Sequence, residues 1–216
     1  MSFYRINQFS RVLLPLFILL LLTGCSKKEG KRCNIEEYLI SQIDWQADDY
    51  LASLGEDEQN IISLKSLSYG SFTGDNTSEI LCLFHIDAPH TGGMDRTIAA
   101  IYDEDSLKYI TKKTFMADDV SLYLFHDILG KTNILYIGET VYQGIASHQI
   151  DLIEIQNNDW VSKKISDIPL EDSDTFAVSS DKYLHVFQIE YNENMEMELH
   201  YKYTLTWDAA NGRFTS

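Results

Sequence analysis

The feature that most constrains the fold is a layout of strands and turns that occurs three times after residue 61. From there the chain is rich in Ile, Val, Tyr, Phe and Thr, and Asn, Asp and Gly bound these runs, which is typical of strands joined by turns. The opening turns start near residues 74, 130 and 180. Their spacing of about 50 residues is typical of one propeller blade. Because such a unit cannot bury both faces alone, neighbouring units must stack.

This layout places three antiparallel β units at about 61–115, 120–165 and 175–216 of a single β-rich domain, 34–216. A chain of this length can bury a real core. Three units are too few for a closed propeller of about four to eight blades. The sequence therefore predicts a mainly β fold with one N-terminal helix. Its architecture is a partial or distorted propeller, a curved stack of sheets, or a sandwich with the helix packed on one end.

The helix is predicted over residues 35–54. Asn34 is a good N-cap and Glu37 follows three residues later, which is the spacing of a capping box. Apolar residues then recur at helical spacing as far as Gly55, which can close the helix in a left-handed conformation. A broken helix, or an early strand around Trp45, is the competing interpretation.

The turn that opens the first β unit carries a family resemblance. It runs Phe72-Thr73-Gly74-Asp75-Asn76-Thr77-Ser78-Glu79-Ile80. This stretch resembles the FG-GAP or VCBS repeat of integrin-type β-propellers, whose turn runs Asp-Phe-Asn-Gly-Asp-Gly before a polar pair, an acid and an apolar strand. The positions that match are Phe72, Gly74, Asp75, Glu79 and Ile80, and those that depart are Ser71, Thr73 and Asn76. The resemblance implies a propeller-like fold and does not indicate a function.

The resemblance also implies candidate calcium ligands, because this loop often binds calcium in the family. Asp75 and Glu79 are the acidic residues that remain. Ser71 and Thr73 stand where the family has two further ligands. Since hard cations require several oxygen ligands, the turn has too little charge for a strong site.

A second candidate metal site lies in the loop after the first buried strand. His85 and Asp87 would point to one face of that strand, and His90 could fold back beside them. Such a set of two nitrogens and one oxygen suits zinc. No HExxH or comparable spacing supports it, and Gly92-Gly93 indicates a flexible turn. We therefore interpret the loop as solvated, with a metal-dependent hydrolase or a metal-binding protein as the alternative.

No catalytic residue and no cofactor is predicted. The chain has no Gly-x-Ser-x-Gly, Ser-x-x-Lys, P-loop or Gly-x-Gly-x-x-Gly motif. The acidic runs at 103–105, 118–119 and 192–198 are typical of solvated turns, although the methionines of the last one could contact a partner. The remaining histidines occur singly along strands, where a hydrogen-bonded side chain is expected.

Of the three cysteines, Cys25 belongs to the N-terminal motif described below, and the other two, Cys33 and Cys82, permit one disulfide. Cys82 lies within the apolar run 80–84, which indicates a buried strand, whereas Cys33 precedes the predicted helix. We therefore expect a packed Cys82 and a free Cys33 rather than a bridge.

The N-terminal stretch predicts export. Arg5 and Arg11 precede an apolar run of eleven residues, Val12 to Leu22, which is the order of regions in a signal peptide. A membrane-spanning helix needs about 20 apolar residues. The run is therefore too short for an ordinary membrane span.

The residues Leu22-Thr23-Gly24-Cys25 resemble the lipobox of bacterial lipoprotein precursors at all four positions. The resemblance implies that the Cys25 sulfur carries a diacylglyceryl group and that signal peptidase II cuts after Gly24. Residues 1–24 are then the signal peptide, and acyl chains such as palmitate hold Cys25 on the extracytoplasmic side of a membrane. A plain signal anchor with an incidental Cys25 is the alternative.

After loss of the signal peptide, the chain consists of a short basic segment and an acidic domain. Loss of residues 1–24 removes two arginines and no acids, so the formal net charge changes from −16 to −18. Such a chain repels phosphate backbones, which argues against nucleic-acid binding. Residues 25–33 are instead basic and form a tether, which either lies near anionic headgroups or serves only as a soluble linker. The sequence thus predicts a membrane-anchored envelope lipoprotein that binds a protein or cell-wall partner without catalysis.

Overall fold

The computed structural model describes residues 35–43, 62–86, 96–142, 145–194 and 196–216. No helix within these ranges is long and apolar enough to cross a membrane. The predicted signal peptide, 1–24, and the predicted tether, 25–33, lie outside the described residues. The chain divides into two compact units, Met1–Ile43 and Asp44–Ser216.

The described part of the first unit contains helix α1, Ile35–Ser41. It begins where the capping pattern predicts. The two acidic residues in its first turn interact favourably with the positive N-terminal end of the helix dipole. The helix ends at Ser41 and not at residue 54, because the backbone changes there to i→i−3 hydrogen bonds, as from Gln42 N–H to Leu39 O. The Ser41 hydroxyl also donates to the carbonyl of Tyr38, at 2.7 Å. Residues 44–61 lie outside the described residues.

The described residues of the second unit form three four-stranded antiparallel sheets, in which consecutive strands are neighbours. Sheet A consists of β1 (Ile62–Gly70), β2 (Glu79–Ile86), β3 (Arg96–Asp103) and β4 (Tyr109–Met116). Sheet B consists of β5 (Asp119–His126), β6 (Thr132–Tyr142), β7 (Ile145–Gln156) and β8 (Asp159–Lys163). Sheet C consists of β9 (Asp174–Ser179), β10 (Tyr183–Tyr191), β11 (Met197–Asp208) and β12 (Arg213–Thr215). The predicted mainly β fold with three units is confirmed.

Turn residues explain how the strands reverse. Asn157 and Asn158, between β7 and β8, both have positive φ angles, 53° and 68°. Ser180 and Asp181, between β9 and β10, have φ angles of 54° and 47°. Two consecutive positive φ angles give the tight turn whose twist matches paired strands, and Asn and Asp adopt them more readily than other side chains.

The three sheets stack face to face, with sheet B in the middle. Along β6, Ile134 and Tyr136 belong to a buried cluster shared with sheet A. Leu135 and Ile137 belong to a second cluster shared with sheet C. Because side chains alternate between the faces of a strand, a continuous apolar run is what a strand covered on both sides requires.

Strands β2 and β3 of sheet A are also covered on both faces, because nearly every residue along each of them is buried. Cys82 lies on β2 as a fully buried free thiol. Burial raises the pKa of this thiol to about 12. The predicted packing of Cys82 is confirmed, whereas Cys33 lies outside the described residues.

Candidate functional site

A cleft of about 870 Å³ opens between β4, β7 and the connection from β8 to β9. It thus draws its walls from sheets A and B and from the chain that leads into sheet C. Its volume lies within the range of about 300–1,000 Å³ that is usual for ligand pockets. The lining residues are Lys113, Thr114, Phe115, Met116, Tyr136, His148, Gln149, Ile150, Asp151, Ile165, Leu170, Glu171, Asp172 and Phe176.

The base of the cleft is an aromatic pair. Phe115 of β4 and Tyr136 of β6 stack with ring centroids 4.4 Å apart and planes 13° from parallel. Both side chains are buried. Burial, and then the charge of Asp151, raises the pKa of the Tyr136 hydroxyl. The pair therefore fixes the distance between sheets A and B beneath the opening.

One rim of the cleft carries paired opposite charges. Lys113 Nζ lies 3.8 Å from the carboxylate of Asp151 and 5.5 Å from the centre of the Phe115 ring. Asp151 also accepts a hydrogen bond of 2.6 Å from the hydroxyl of Ser162. Neighbouring strands therefore orient both charged groups, while each side chain keeps about a quarter or more of its surface exposed.

The other rim is acidic. Glu171 and Asp172 are exposed in the segment before β9. Lys202 of β11 lies 3.1 Å from Glu171 and 2.8 Å from the buried carboxylate of Asp174. The hydrogen bond to Asp174 is the main reason why the pKa of Lys202 is raised. The lysine thereby holds Glu171 at the edge of the cleft.

His148 adds a polar group to the wall formed by β7. Its Nε2 lies 3.3 Å from a carboxylate oxygen of Glu139, and the side chain is only 11% exposed. Its Nδ1 is buried and has no hydrogen-bond partner among the described residues. A buried polar atom of this kind costs free energy unless a partner is supplied. His148 therefore contributes to the wall of the cleft an imidazole with one ring nitrogen beside Glu139 and the other buried.

The candidate calcium ligands lie elsewhere, in the turn between β1 and β2. Glu79 is buried, and its carboxylate accepts hydrogen bonds from the backbone N–H groups of Phe72 and Thr73 at 2.6 and 2.9 Å. It also accepts from the hydroxyls of Thr73 and Thr77. Asp75 is exposed at the tip of the same turn. Thr73, which departs from the family pattern, thus donates its backbone N–H and its hydroxyl to Glu79.

Of the candidate zinc ligands, His85 lies half-buried on β2, between Ser63 of β1 and Thr97 of β3. Asp87 and His90 lie outside the described residues, as does the predicted lipidation site, Cys25. In the part of the chain that the structure describes, no group of three or more His, Cys, Asp or Glu residues could hold a metal ion. The zinc site stays a prediction.

The cleft itself is not predicted by the sequence. Lys113, His148, Asp151 and Glu171 come from three separate segments, and no local motif connects them. The expectation for histidines along strands is confirmed at His185, whose ring nitrogens lie 2.7 Å from the hydroxyls of Ser179 and Thr204. His148 departs from it, because only one of its ring nitrogens has a partner among the described residues.

Comparison of the chain with protein-family models, with curated proteins and with solved structures found no match.

Proposed function

We propose that this protein is a lipid-anchored, non-enzymatic binding domain on the extracytoplasmic side of a bacterial membrane. It engages a protein or cell-wall partner through the cleft between β4, β7 and the β8–β9 connection. The observation that carries the proposal is the cleft, which combines a ligand-sized volume with a buried aromatic base and charged rims. Apolar pockets with a few convergent polar groups are the usual form of a binding site.

The rims suggest the chemistry of the ligand. Asp151, Glu171 and Asp172 outnumber Lys113, and Ile150 and Phe176 supply apolar surface between the rims. A ligand with a cationic group beside an apolar group matches this arrangement, because its charge would meet the carboxylates while its apolar part enters the cleft. The net charge of −18 that remains after loss of residues 1–24 favours the approach of such a ligand.

Anchoring rests on the sequence Leu22-Thr23-Gly24-Cys25. Two acyl chains hold a protein on a bilayer far more firmly than one chain, because each buried methylene contributes about 0.8 kcal/mol. The acidic domain would stand off an anionic surface, with the basic residues of 25–33 closest to the headgroups.

For the fold, we propose a relationship to β-propellers of the FG-GAP type, in which the three sheets correspond to blades. Each sheet is an up-and-down set of four consecutive strands, which is the usual composition of a blade. The turn from Phe72 to Ile80 lies between the first two strands of sheet A, where the sequence resemblance is strongest. This relationship concerns architecture and adds nothing to the choice of ligand.

The cleft proposal can be tested by photo-crosslinking in intact cells of the source bacterium. A photoreactive amino acid replaces Met116, which lines the cleft and is 51% exposed. The matched control replaces Ile128, which is 70% exposed in the turn between β5 and β6. We expect one envelope component to be captured at position 116 and not at position 128.

A second variant, Lys113→Glu, tests whether the charge of the rim affects crosslinking at position 116. Reversing this charge makes both rims acidic and removes the cationic partner of Asp151. If the ligand carries a cation, capture at position 116 should increase or persist, and added salt should reduce it. Equal capture at positions 116 and 128, or none at 116, would contradict binding through the cleft.

A further inference from the structure

The β10–β11 hairpin extends beyond the rest of sheet C. Strand β9 pairs with β10 only from Tyr183 to Gln188. Strand β12 pairs with β11 only from Thr206 to Asp208. We refer to residues 187–191 and 197–201, which pair with each other, as the hairpin tip. Among the described strands, the tip of β11 therefore has a neighbour on one side only.

One face of the hairpin tip is apolar and exposed. Its three cross-strand pairs are Phe187 with Tyr201, Ile189 with Leu199, and Tyr191 with Met197. The three β11 members are 61%, 54% and 54% exposed, respectively. Exposed large apolar side chains that form a continuous patch indicate an interaction surface more than scattered ones do.

The opposite face of the hairpin tip is acidic. Glu190 pairs with Glu198, and Gln188 pairs with His200. His200 Nε2 lies 3.5 and 3.6 Å from the carboxylates of Glu190 and Glu198. All three charged or titratable side chains are about half exposed, so a strand placed alongside β11 would meet carboxylates on this face.

The hydrogen-bond pattern shows which backbone groups of β11 face outward. Asn192 N–H donates to the carbonyl of Glu196, at 3.1 Å, so this pair is hydrogen-bonded across the hairpin. Bonded and non-bonded pairs alternate along an antiparallel ladder. The pairs that contain Met197, Leu199 and Tyr201 are therefore the non-bonded ones, and the N–H and C=O groups of these three residues point away from β10.

A hydrogen bond on the β10 side supports this assignment. Ile189, which pairs with Leu199, donates its N–H to the carbonyl of Ser173, at 3.0 Å, and so away from β11. Open edges are usually protected by Lys, Pro or a bulge. The register shift near Lys202 lies at the far end of the tip, and the outward-facing positions of β11 are Met, Leu and Tyr.

We propose that the open edge of β11 binds, by strand addition, an extended segment of a partner protein in which apolar residues alternate with Lys or Arg. Backbone groups of the added strand would bond to Met197, Leu199 and Tyr201, as in other cases of strand addition. Its apolar side chains would cover the apolar face, and its basic side chains would lie beside Glu198 and Glu190. This site is separate from the cleft and does not depend on the function proposed for it.

The charge pattern distinguishes such a partner from a second copy of this chain. Antiparallel pairing of two β11 edges would place Glu190 and Glu198 of both tips on one face of the joined sheet. Like charges on adjacent strands destabilise a sheet. An alternating basic strand instead neutralises Glu190 and Glu198, which already draw His200 between them.

The probe that tests this inference is a fluorescein-labelled octapeptide of alternating Val and Lys, added to the full chain in detergent. Binding is measured by fluorescence anisotropy. A peptide with four Val followed by four Lys has the same charge without the alternation, so it controls for non-specific attraction to an acidic protein. We expect the alternating peptide to bind at least about tenfold more tightly than the block peptide.

The discriminating variant is Leu199→Pro. Because the N–H of Leu199 points outward, proline removes a bond to the added strand without removing a bond to β10. We expect about a tenfold loss of peptide affinity, and unchanged affinity for Ile128→Ala, an exposed change in the turn between β5 and β6 that lies outside both sites. If Leu199→Pro fails to fold, Leu199→Thr and a peptide with N-methyl groups on one edge provide the same comparison with the backbone intact.

Equal binding of the two peptides, or binding insensitive to Leu199→Pro and to N-methylation, would overturn the inference. Sedimentation of the full chain gives the other contrary outcome. A dimer that Leu199→Pro dissociates would show that a second copy, and not a basic strand, occupies the edge. Loss of crosslinking at Met116 alone would count against the cleft and leave the edge site intact.

Discussion

The carboxylate of Glu79 accepts a hydrogen bond of 2.6 Å from the backbone N–H of Phe72. Glu79 begins β2, and Phe72 lies at the start of the turn that leads to it, so the bond closes the turn on itself. Both side chains are buried. An anion that accepts backbone N–H groups in a buried position forms a stronger bond than a neutral acceptor does.

Replacement of Glu79 by Gln should destabilise the protein. The amide keeps the shape of the carboxylate but directs N–H donors toward the backbone N–H groups of Phe72 and Thr73 or the threonine hydroxyls. We expect the free energy of unfolding to fall by about 2 kcal/mol, measured by urea denaturation at neutral pH. The control is Asp75→Asn in the same turn, which is exposed and should change it by less than about 0.5 kcal/mol.

The same turn bears on the calcium prediction. Because the carboxylate oxygens of Glu79 already accept four hydrogen bonds, we expect a calcium chelator to leave the melting temperature unchanged. Thermal unfolding with and without the chelator is the measurement. A fall in melting temperature on chelation that Asp75→Ala abolishes would instead establish a calcium site.

Replacement of Gly138 by Ala should disturb the base of the cleft. A Cβ atom at Gly138 would collide with the hydroxyl and ring of Tyr136, which lies two residues earlier on the same face of β6. The ring would have to leave its stack with Phe115. We expect a loss of about 1–3 kcal/mol in the free energy of unfolding.

The matched control for this substitution is Gly74→Ala. Its Cβ would approach only Thr77 Cγ2, at 3.3 Å, which a small shift can accommodate. Both variants can be compared by urea denaturation and by near-ultraviolet circular dichroism, which reports on the packing of Tyr136. Equal effects of the two alanines would contradict the role given to the aromatic pair.

Glu154 should make stability depend on pH in the acid range. Burial alone would raise its pKa, but hydrogen bonds from Lys163, Gln156 and Lys131 lower the pKa from 4.5 to about 2. A lowered folded-state pKa stabilises the protein above the unfolded value, and this contribution disappears as the pH falls from 4.5 toward 2. We expect Glu154→Gln to be less stable than the parent by about 1 kcal/mol at pH 7.

The difference between the parent and Glu154→Gln should shrink through this same acid range. Urea denaturation at a series of pH values measures it. Asp159→Asn, an exposed change on the adjacent strand, is the control. A difference that stays constant from neutral to strongly acid pH would show that the two lysines do not stabilise the ionised carboxylate.

Replacement of Cys25 by Ala should release the protein from the membrane fraction. Without the thiol no acyl chains can be attached, and the eleven-residue apolar run is too short for an ordinary span. Fractionation of cells that produce each form is the measurement, and mass spectrometry of the parent should show an acylated N-terminal Cys25. Membrane association that survives in the variant would favour the signal anchor instead.

The sheet units could be predicted from sequence because each is encoded locally. The turn near Gly130 and the apolar run of β6 follow one another directly, so strand and reversal are found together. The predicted end of the helix at residue 54 was wrong by contrast, because the periodic apolar pattern continues past Ser41, where α1 ends. There the local backbone and the Ser41 hydroxyl prevail over periodicity.

The cleft could not be predicted in the same way. Lys113 and Asp151 meet only because β4 of sheet A and β7 of sheet B lie close together in the stack. Each of them, taken along the sequence, is an ordinary charged residue on a strand. The direction of the backbone N–H and C=O groups of Leu199 could not be predicted either, because it depends on strand register and not on residue type.

The central position of sheet B has a consequence for how the chain matures. A polypeptide that ends after β8 would leave Leu135, Ile137 and Leu152 bare, since residues of sheet C complete the cluster around them. We expect truncated products of this kind to aggregate and to be degraded readily, because this apolar surface is exposed. During synthesis, residues 174–215 of sheet C are therefore the ones that cover this apolar face of sheet B, and a nascent chain has to be shielded until they emerge.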